Sequence, residues 1–133
     1  MHLIIDGYVD DRGILKDEKF LRGWLEGYPS RIGMQRISPP FVFEYGKHNV
    51  DDWGISGFVF IAESHISFHT FVEQSYVNID VFSCKDFDTD KAIEEFRAEF
   101  GAVRMRTCVI DRDWQAEREP VVSAAPSFAY HGE

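Results

Sequence analysis

The sequence is poor in cysteine: Cys84 and Cys108 are the only two among 133 residues. Two thiols are too few for a disulfide framework or a four-thiolate zinc site, so both are expected reduced. Positive charge is also scarce, with 14 Lys and Arg against 23 Asp and Glu and a formal charge of −9. That balance argues against a nucleic-acid binder, which needs a net basic face to release phosphate counterions. Long apolar runs are missing as well, and none approaches the roughly 18–20 residues of a membrane span. The opening Met-His-Leu-Ile-Ile-Asp lacks the charged-then-apolar layout of a signal peptide. The expectation is a cytoplasmic protein with no membrane and no nucleic-acid partner. What is abundant is apolar surface, 44% of the residues, and the length matches about one domain on a scale of roughly 100–200 residues. Residues 1–118 are expected to form that single domain, and the Pro-, Ser- and Ala-containing stretch 119–133 a flexible tail.

Hydrophobic patterning predicts the elements. His2 to Val9 reads as a strand closed by the polar turn Asp10–Gly13. Phe20, Leu21, Trp24 and Leu25 form one stripe at helical period, predicting a helix from about Lys16 to Glu26 that ends at Gly27. Arg31 to Ile37 reads as a short strand interrupted by Pro39-Pro40, and Phe41 to Tyr45 resumes extended structure. The polar stretch Gly46 to Asp52 reads as a loop. Gly57 to Ala62 is apolar without alternation, as expected of a central strand covered on both faces. Tyr76 to Ser83 alternates cleanly, and Cys84 would continue its more polar face. A second helix is predicted from about Asp88 to Phe100, before Gly101, and a last strand from Val103 to Ile110. The fold class is therefore α+β, a two-layer sandwich with both helices on one face of an antiparallel sheet.

The segment Glu63-Ser64-His65-Ile66-Ser67-Phe68-His69-Thr70 places two His and two Ser after the most apolar strand. His65 and His69 have the i, i+4 spacing of a helical zinc site, but on an extended chain they would lie about 13 Å apart. No metal is expected there. A Ser–His hydrolase would need a Gly-x-Ser-x-Gly elbow, and Gly54-Ile55-Ser56-Gly57 lacks that spacing. On local pattern alone these are sheet residues whose polar atoms are satisfied by neighbours.

The block Glu63–Thr70, followed by Glu73 and by Asn78-Ile79-Asp80-Val81-Phe82-Ser83-Cys84, resembles the core of the short prokaryotic S-adenosylmethionine decarboxylases. Gly54-Ile55-Ser56-Gly57 matches too, and the resemblance extends over about residues 2–112. It implies a self-processing pyruvoyl enzyme. Ser64 would attack the carbonyl of Glu63, turning the peptide into an ester, and loss of the Ser64 α-proton would eliminate that ester. The dehydroalanine left at position 64 would tautomerise to an imine and be hydrolysed by water with release of ammonia, giving chains 1–63 and 64–133, the second capped by a covalent pyruvoyl cofactor. The resemblance assigns processing to Glu63, Ser64, Ser56 and His69, with His69 moving protons and Ser56 serving the oxyanion. In a regular strand Ser64 and His69 would face opposite ways, so a bend or bulge is expected near the cleavage site.

In catalysis the pyruvoyl carbonyl would act as an electron sink, much as pyridoxal phosphate does. Cys84 is then the implied acid that protonates the former α-carbon. Cys108 matches no catalytic position. Glu73 would bind the ribose hydroxyls of S-adenosylmethionine and Phe71 would stack on adenine. Two departures concern the substrate: Phe71-Val72 stands where the family carries Trp-Pro, and an aromatic position of the family holds Val50. Tyr45, His48 and Trp53 are the candidates for the second aromatic wall. The implied function is decarboxylation of S-adenosylmethionine for spermidine synthesis by a homodimer of processed protomers. The alternatives are a pyruvoyl decarboxylase of ornithine or arginine and a non-catalytic regulatory homologue. Intact Ser64, His69 and Cys84 speak against the last.

Overall fold

Three strands show why a single apolar face organises the chain. In β1 (His2–Val9), β5 (Ser64–Phe71) and β6 (Tyr76–Ser83), alternate residues Leu3, Ile5, Ile66, Phe68, Val77, Ile79 and Val81 are fully buried while their neighbours remain accessible. A computed structural model describes residues 1–46, 51–112, 121–122 and 127–130. Its remaining elements are α1 (Arg12–Leu15), α2 (Glu18–Arg31), β2 (Gln35–Arg36), β3 (Phe41–Tyr45), β4 (Gly54–Ala62), α3 (Thr89–Phe100), β7 (Ala102–Asp111), β8 (Val121–Val122) and β9 (Ser127–Tyr130). The strands form one antiparallel sheet in the order β2-β4-β5-β6-β1-β7-β8, with β3 also on β4 and β9 also on β7.

The helices cover one face only, as the α+β reading requires. From α2, Leu21, Trp24, Leu25 and Tyr28 pack with Ala92, Phe96 and Phe100 of α3 over the buried strand residues. Trp24 stacks on Tyr28 and meets Phe68 and Phe100 edge-on. The ends of α3 follow the sequence: Asp88 accepts from Lys91 N–H at its start, and Gly101 closes it at φ 64, a conformation Gly adopts without strain.

Several boundaries differ from the sequence reading. Gly27 does not end α2, which runs on to Arg31, because Tyr28 is buried and its hydroxyl donates to the Ala92 carbonyl of α3 at 2.7 Å. Tertiary packing there outweighs the local cost of Gly and of Pro29. The strand expected over Arg31–Ile37 shrinks to Gln35–Arg36, and the turn after β1 winds into α1, capped by Asp11. The stretch read as a flexible tail contributes β8 and β9 to the β7 edge. Most consequential is β4. It is neither central nor covered on both faces: it lies near one edge, and its even-numbered residues Ser56, Phe58 and Phe60 face away from the helices.

That second face of the sheet carries the candidate residues Ser56, His65 and His69. Cross-strand register lines them up in rows: Phe43, Ser56, His69, Asn78, Asp6 and Arg106 in one, and Phe60, His65, Phe82, His2 and Ile110 in another.

Candidate active site

Two clusters stand at opposite ends of β5. At its start, β4 and β5 are joined by a hairpin so tight that Ile61 pairs with Ser64, which leaves Glu63 at the tip. Ser64 opens β5 at φ 155. Its Oγ lies 3.5 Å from Sγ of Cys84, and Cys84 stands exposed just past the end of β6 on the side facing away from the helices. The Cys84 backbone N–H donates to the Glu63 carbonyl oxygen at 3.3 Å. A hydroxyl, a thiol and a donor to the carbonyl of the same peptide bond thus converge on one turn. Sequence reasoning could not find that N–H donor, since every residue but proline carries one and only the fold aims it.

The second cluster lies toward the far end of β5. Ser56 Oγ and His69 Nδ1 are hydrogen-bonded at 2.8 Å across the β4–β5 pair. Beyond them a cavity of about 290 Å³ is lined by Tyr45, Asp52, Gly54, Ser56, His69, Thr70 and Phe71. Gly54 is what brings the two strands together here, because a Cβ at that position would fall 1.7 Å from the Thr70 carbonyl oxygen. Thr70 itself is buried and structural: its hydroxyl donates to the Leu15 carbonyl at 2.7 Å and accepts from Ile55 N–H at 2.8 Å. Glu73 is outside the cavity lining, on the turn after β5, where Trp53 Nε1–H donates to it at 3.2 Å.

A bend lies near the cleavage site as expected, but it does not bring Ser64 to His69. β5 pairs with β6 in unbroken register from Ser64 to Phe71, so the hairpin bend precedes Ser64 instead of separating it from His69. Five residues of strand put the two about 16 Å apart. Within one chain His69 and Ser56 therefore do not reach the bond between Glu63 and Ser64. His65 and His69 share the accessible face of β5 but not a common ligand position, and no group of three or more potential metal ligands occurs among the described residues. Of the candidate aromatic walls, Tyr45 lines the cavity with Phe71 and Trp53 is not in its lining, while His48 lies outside the described residues, as does Val50.

An α+β chain with a serine at a hairpin tip, a thiol beside it and a Ser–His pair on the same sheet face defines the class of protein. The chain belongs to the S-adenosylmethionine decarboxylase family, whose profile matches residues 1–113. It is similar to an S-adenosylmethionine decarboxylase proenzyme of Prochlorococcus marinus, 34% identical over 76% of this chain and 77% of the relative. Another, from Archaeoglobus fulgidus, is 30% identical over 84% of this chain and 95% of the relative. The crystal structure of the adenosylmethionine decarboxylase from Aquifex aeolicus superposes with a TM-score of 0.66 at 25% identity, covering 80% of this chain and 83% of that one. No helix among the described residues is long and apolar enough to cross a membrane.

Proposed function

We propose that this chain is a proenzyme that cleaves itself between Glu63 and Ser64 and then decarboxylates S-adenosylmethionine. The observation that carries the reading is the hairpin tip. Ser64 Oγ belongs to the residue directly after the carbonyl it must attack, and the Cys84 N–H is already bonded to that carbonyl's oxygen. A backbone donor held in place before reaction stabilises the developing oxyanion without reorganisation. The chemistry of this turn fits a pyruvoyl group derived from Ser64, whose carbonyl supplies an electron sink for loss of CO2. Cys84 Sγ, accessible and 3.5 Å from the Ser64 hydroxyl, is placed to deliver a proton to the carbon that loses CO2.

The distance between the clusters bears on assembly. Since His69 and Ser56 stand about 16 Å from their own Ser64 along the strand, we read the working unit as a homodimer in which one copy's Ser56–His69 pair serves the other copy's hairpin. The face they share is apolar enough to be covered: Phe41, Phe43, Phe58 and Phe60 lie on it, Phe43 62% and Phe60 46% exposed in the single chain. A second copy laid on this face also accounts for the unalternating run Gly57–Ala62, which a central, doubly covered strand would show. The substrate's nucleoside fits the cavity between Phe71 and Tyr45, with Glu73 nearby for the ribose.

Intact-mass analysis of the purified protein is expected to give two chains, 1–63 and 64–133, the latter carbonyl-reactive at its N-terminus. Ser64→Ala is expected to remain one chain. Two fragments from that variant would reassign the nucleophile. Side-by-side CO2 release from S-adenosylmethionine, ornithine, arginine and lysine is expected to favour the first, and release from a basic amino acid alone would hand the site to that substrate class.

A further inference from the structure

Glu73 stands on the turn joining β5 to β6, and that turn is gripped from two sides. On one side Val72 N–H donates to the Trp53 carbonyl at 3.3 Å, and Gln74 Nε2 donates to the Asp51 carbonyl at 2.7 Å. The Trp53 indole N–H then donates to Glu73 Oε1 at 3.2 Å. On the other side Arg12 reaches over from α1: its Nε donates to Ser75 Oγ at 2.7 Å, and its guanidinium lies 3.8 Å from Glu73 Oε2. Ser75 N–H closes the turn on the Val72 carbonyl, and the Ser75 carbonyl accepts from Val9 N–H. Among the described residues each carboxylate oxygen therefore has one contact. An ionised carboxylate offers about four lone-pair sites, so two acceptor positions remain for a ligand.

We infer that Trp53 is a positioning residue for the substrate. Its indole N–H sets the Glu73 carboxylate in the orientation whose free lone pairs accept the two neighbouring hydroxyls of a ribose. This rests on the reading of Glu73 as the ribose-binding residue. Trp53 is the principal hold and Arg12 the weaker one, because an ion pair at 3.8 Å between exposed side chains contributes little. A hydrogen bond to a charged acceptor is stronger and directional. The donor is itself fixed: the Trp53 ring packs against the core, and its carbonyl is tied to Val72. A carboxylate aligned before the substrate arrives loses less rotamer freedom on binding.

The test is a mutant cycle on the processed enzyme. Trp53→Phe keeps a ring and deletes the donor; Trp53→His restores a ring N–H. Trp53→Phe is expected to raise KM for S-adenosylmethionine by about three- to tenfold, the scale of ordering one freed carboxylate side chain when the substrate binds. Its kcat should stay within about twofold and cleavage should be complete, while Trp53→His recovers part of the affinity. In a Glu73→Ala background Trp53→Phe is expected to add nothing. Calorimetry with 5′-methylthioadenosine and its 2′-deoxy analogue supplies a readout apart from turnover, and Trp53→Phe should weaken only the ribonucleoside. If Glu73→Ala raises KM and Trp53→Phe does not, or if the two effects multiply in full, Trp53 has no positioning role and the reading of Glu73 stands. If Glu73→Ala itself leaves KM and ribonucleoside affinity unchanged, the ribose reading of Glu73 falls and takes the role of Trp53 with it.

Discussion

Cys84 meets the hairpin through two distinct atoms. Its backbone N–H contacts the Glu63 carbonyl, and its Sγ faces the Ser64 hydroxyl. Under the proposed function the first contact serves maturation and survives any replacement but proline; the second serves decarboxylation, which would begin only after Ser64 is converted. Cys84→Ala is accordingly expected to cleave at a rate near that of the parent and to release CO2 roughly a hundredfold more slowly, the usual scale of a lost general acid. Gel analysis separates the two outcomes, and normal CO2 release from Cys84→Ala would remove the thiol from the mechanism. The thiol's side of the sheet was readable from the alternation Tyr76, Asn78, Asp80, Phe82. The N–H contact was not, because it depends on how closely β6 approaches the hairpin.

Among the elements, the β4–β5 pair holds both clusters, and its far end depends on Thr70. That hydroxyl joins α1, β4 and β5 in one buried point, accepting from Ile55 N–H and donating to the Leu15 carbonyl. Thr70→Val keeps the shape and leaves both backbone groups buried without that partner. Each such group costs about 1–3 kcal/mol, so a loss of about 2 kcal/mol or more is expected in a denaturant titration, with Thr70→Ser close to the parent. An unchanged midpoint for Thr70→Val would show that water replaces the hydroxyl. Thr70 closes the Glu63–Thr70 block that carries the family resemblance, yet its contacts are those of a structural pin. Motif membership alone does not separate such a residue from His69 one position earlier.

For the whole molecule the decisive quantity is the length of β5. Ser64 and His69 cannot meet within one unbroken strand, so co-expression tests whether two copies share the work. His69→Ala alone is expected to stall in maturation and Ser64→Ala to stay uncut. Expressed together, a mixed dimer would pair the intact Ser64 of one chain with the intact His69 of the other, and cleaved His69→Ala chain is expected to appear. Its absence, with mixed dimers demonstrated by mass, would return the processing role to groups within a single chain. Covering the Phe41, Phe43, Phe58 and Phe60 face would also settle why so much aromatic surface is displayed, since monomers seldom expose contiguous apolar patches of that kind.

Period-2 and period-3.6 patterning determined the fold class, the helical face, the ends of α3 and the side of the sheet on which Cys84 stands, because each follows from which residues seek burial along a single element. Residue types in order also determined the family resemblance, and through it the proposal that Glu63-Ser64 is the bond to cut. Tertiary structure alone decided that α2 runs through Gly27, that β4 lies near an edge with one face uncovered, and that no bend brings Ser64 to His69. It also decided that Trp53, 20 positions before Glu73 in sequence, holds its carboxylate. These are matters of which strand pairs with which and in what register, and such long-range contacts between distant parts of the chain leave no periodic trace in it.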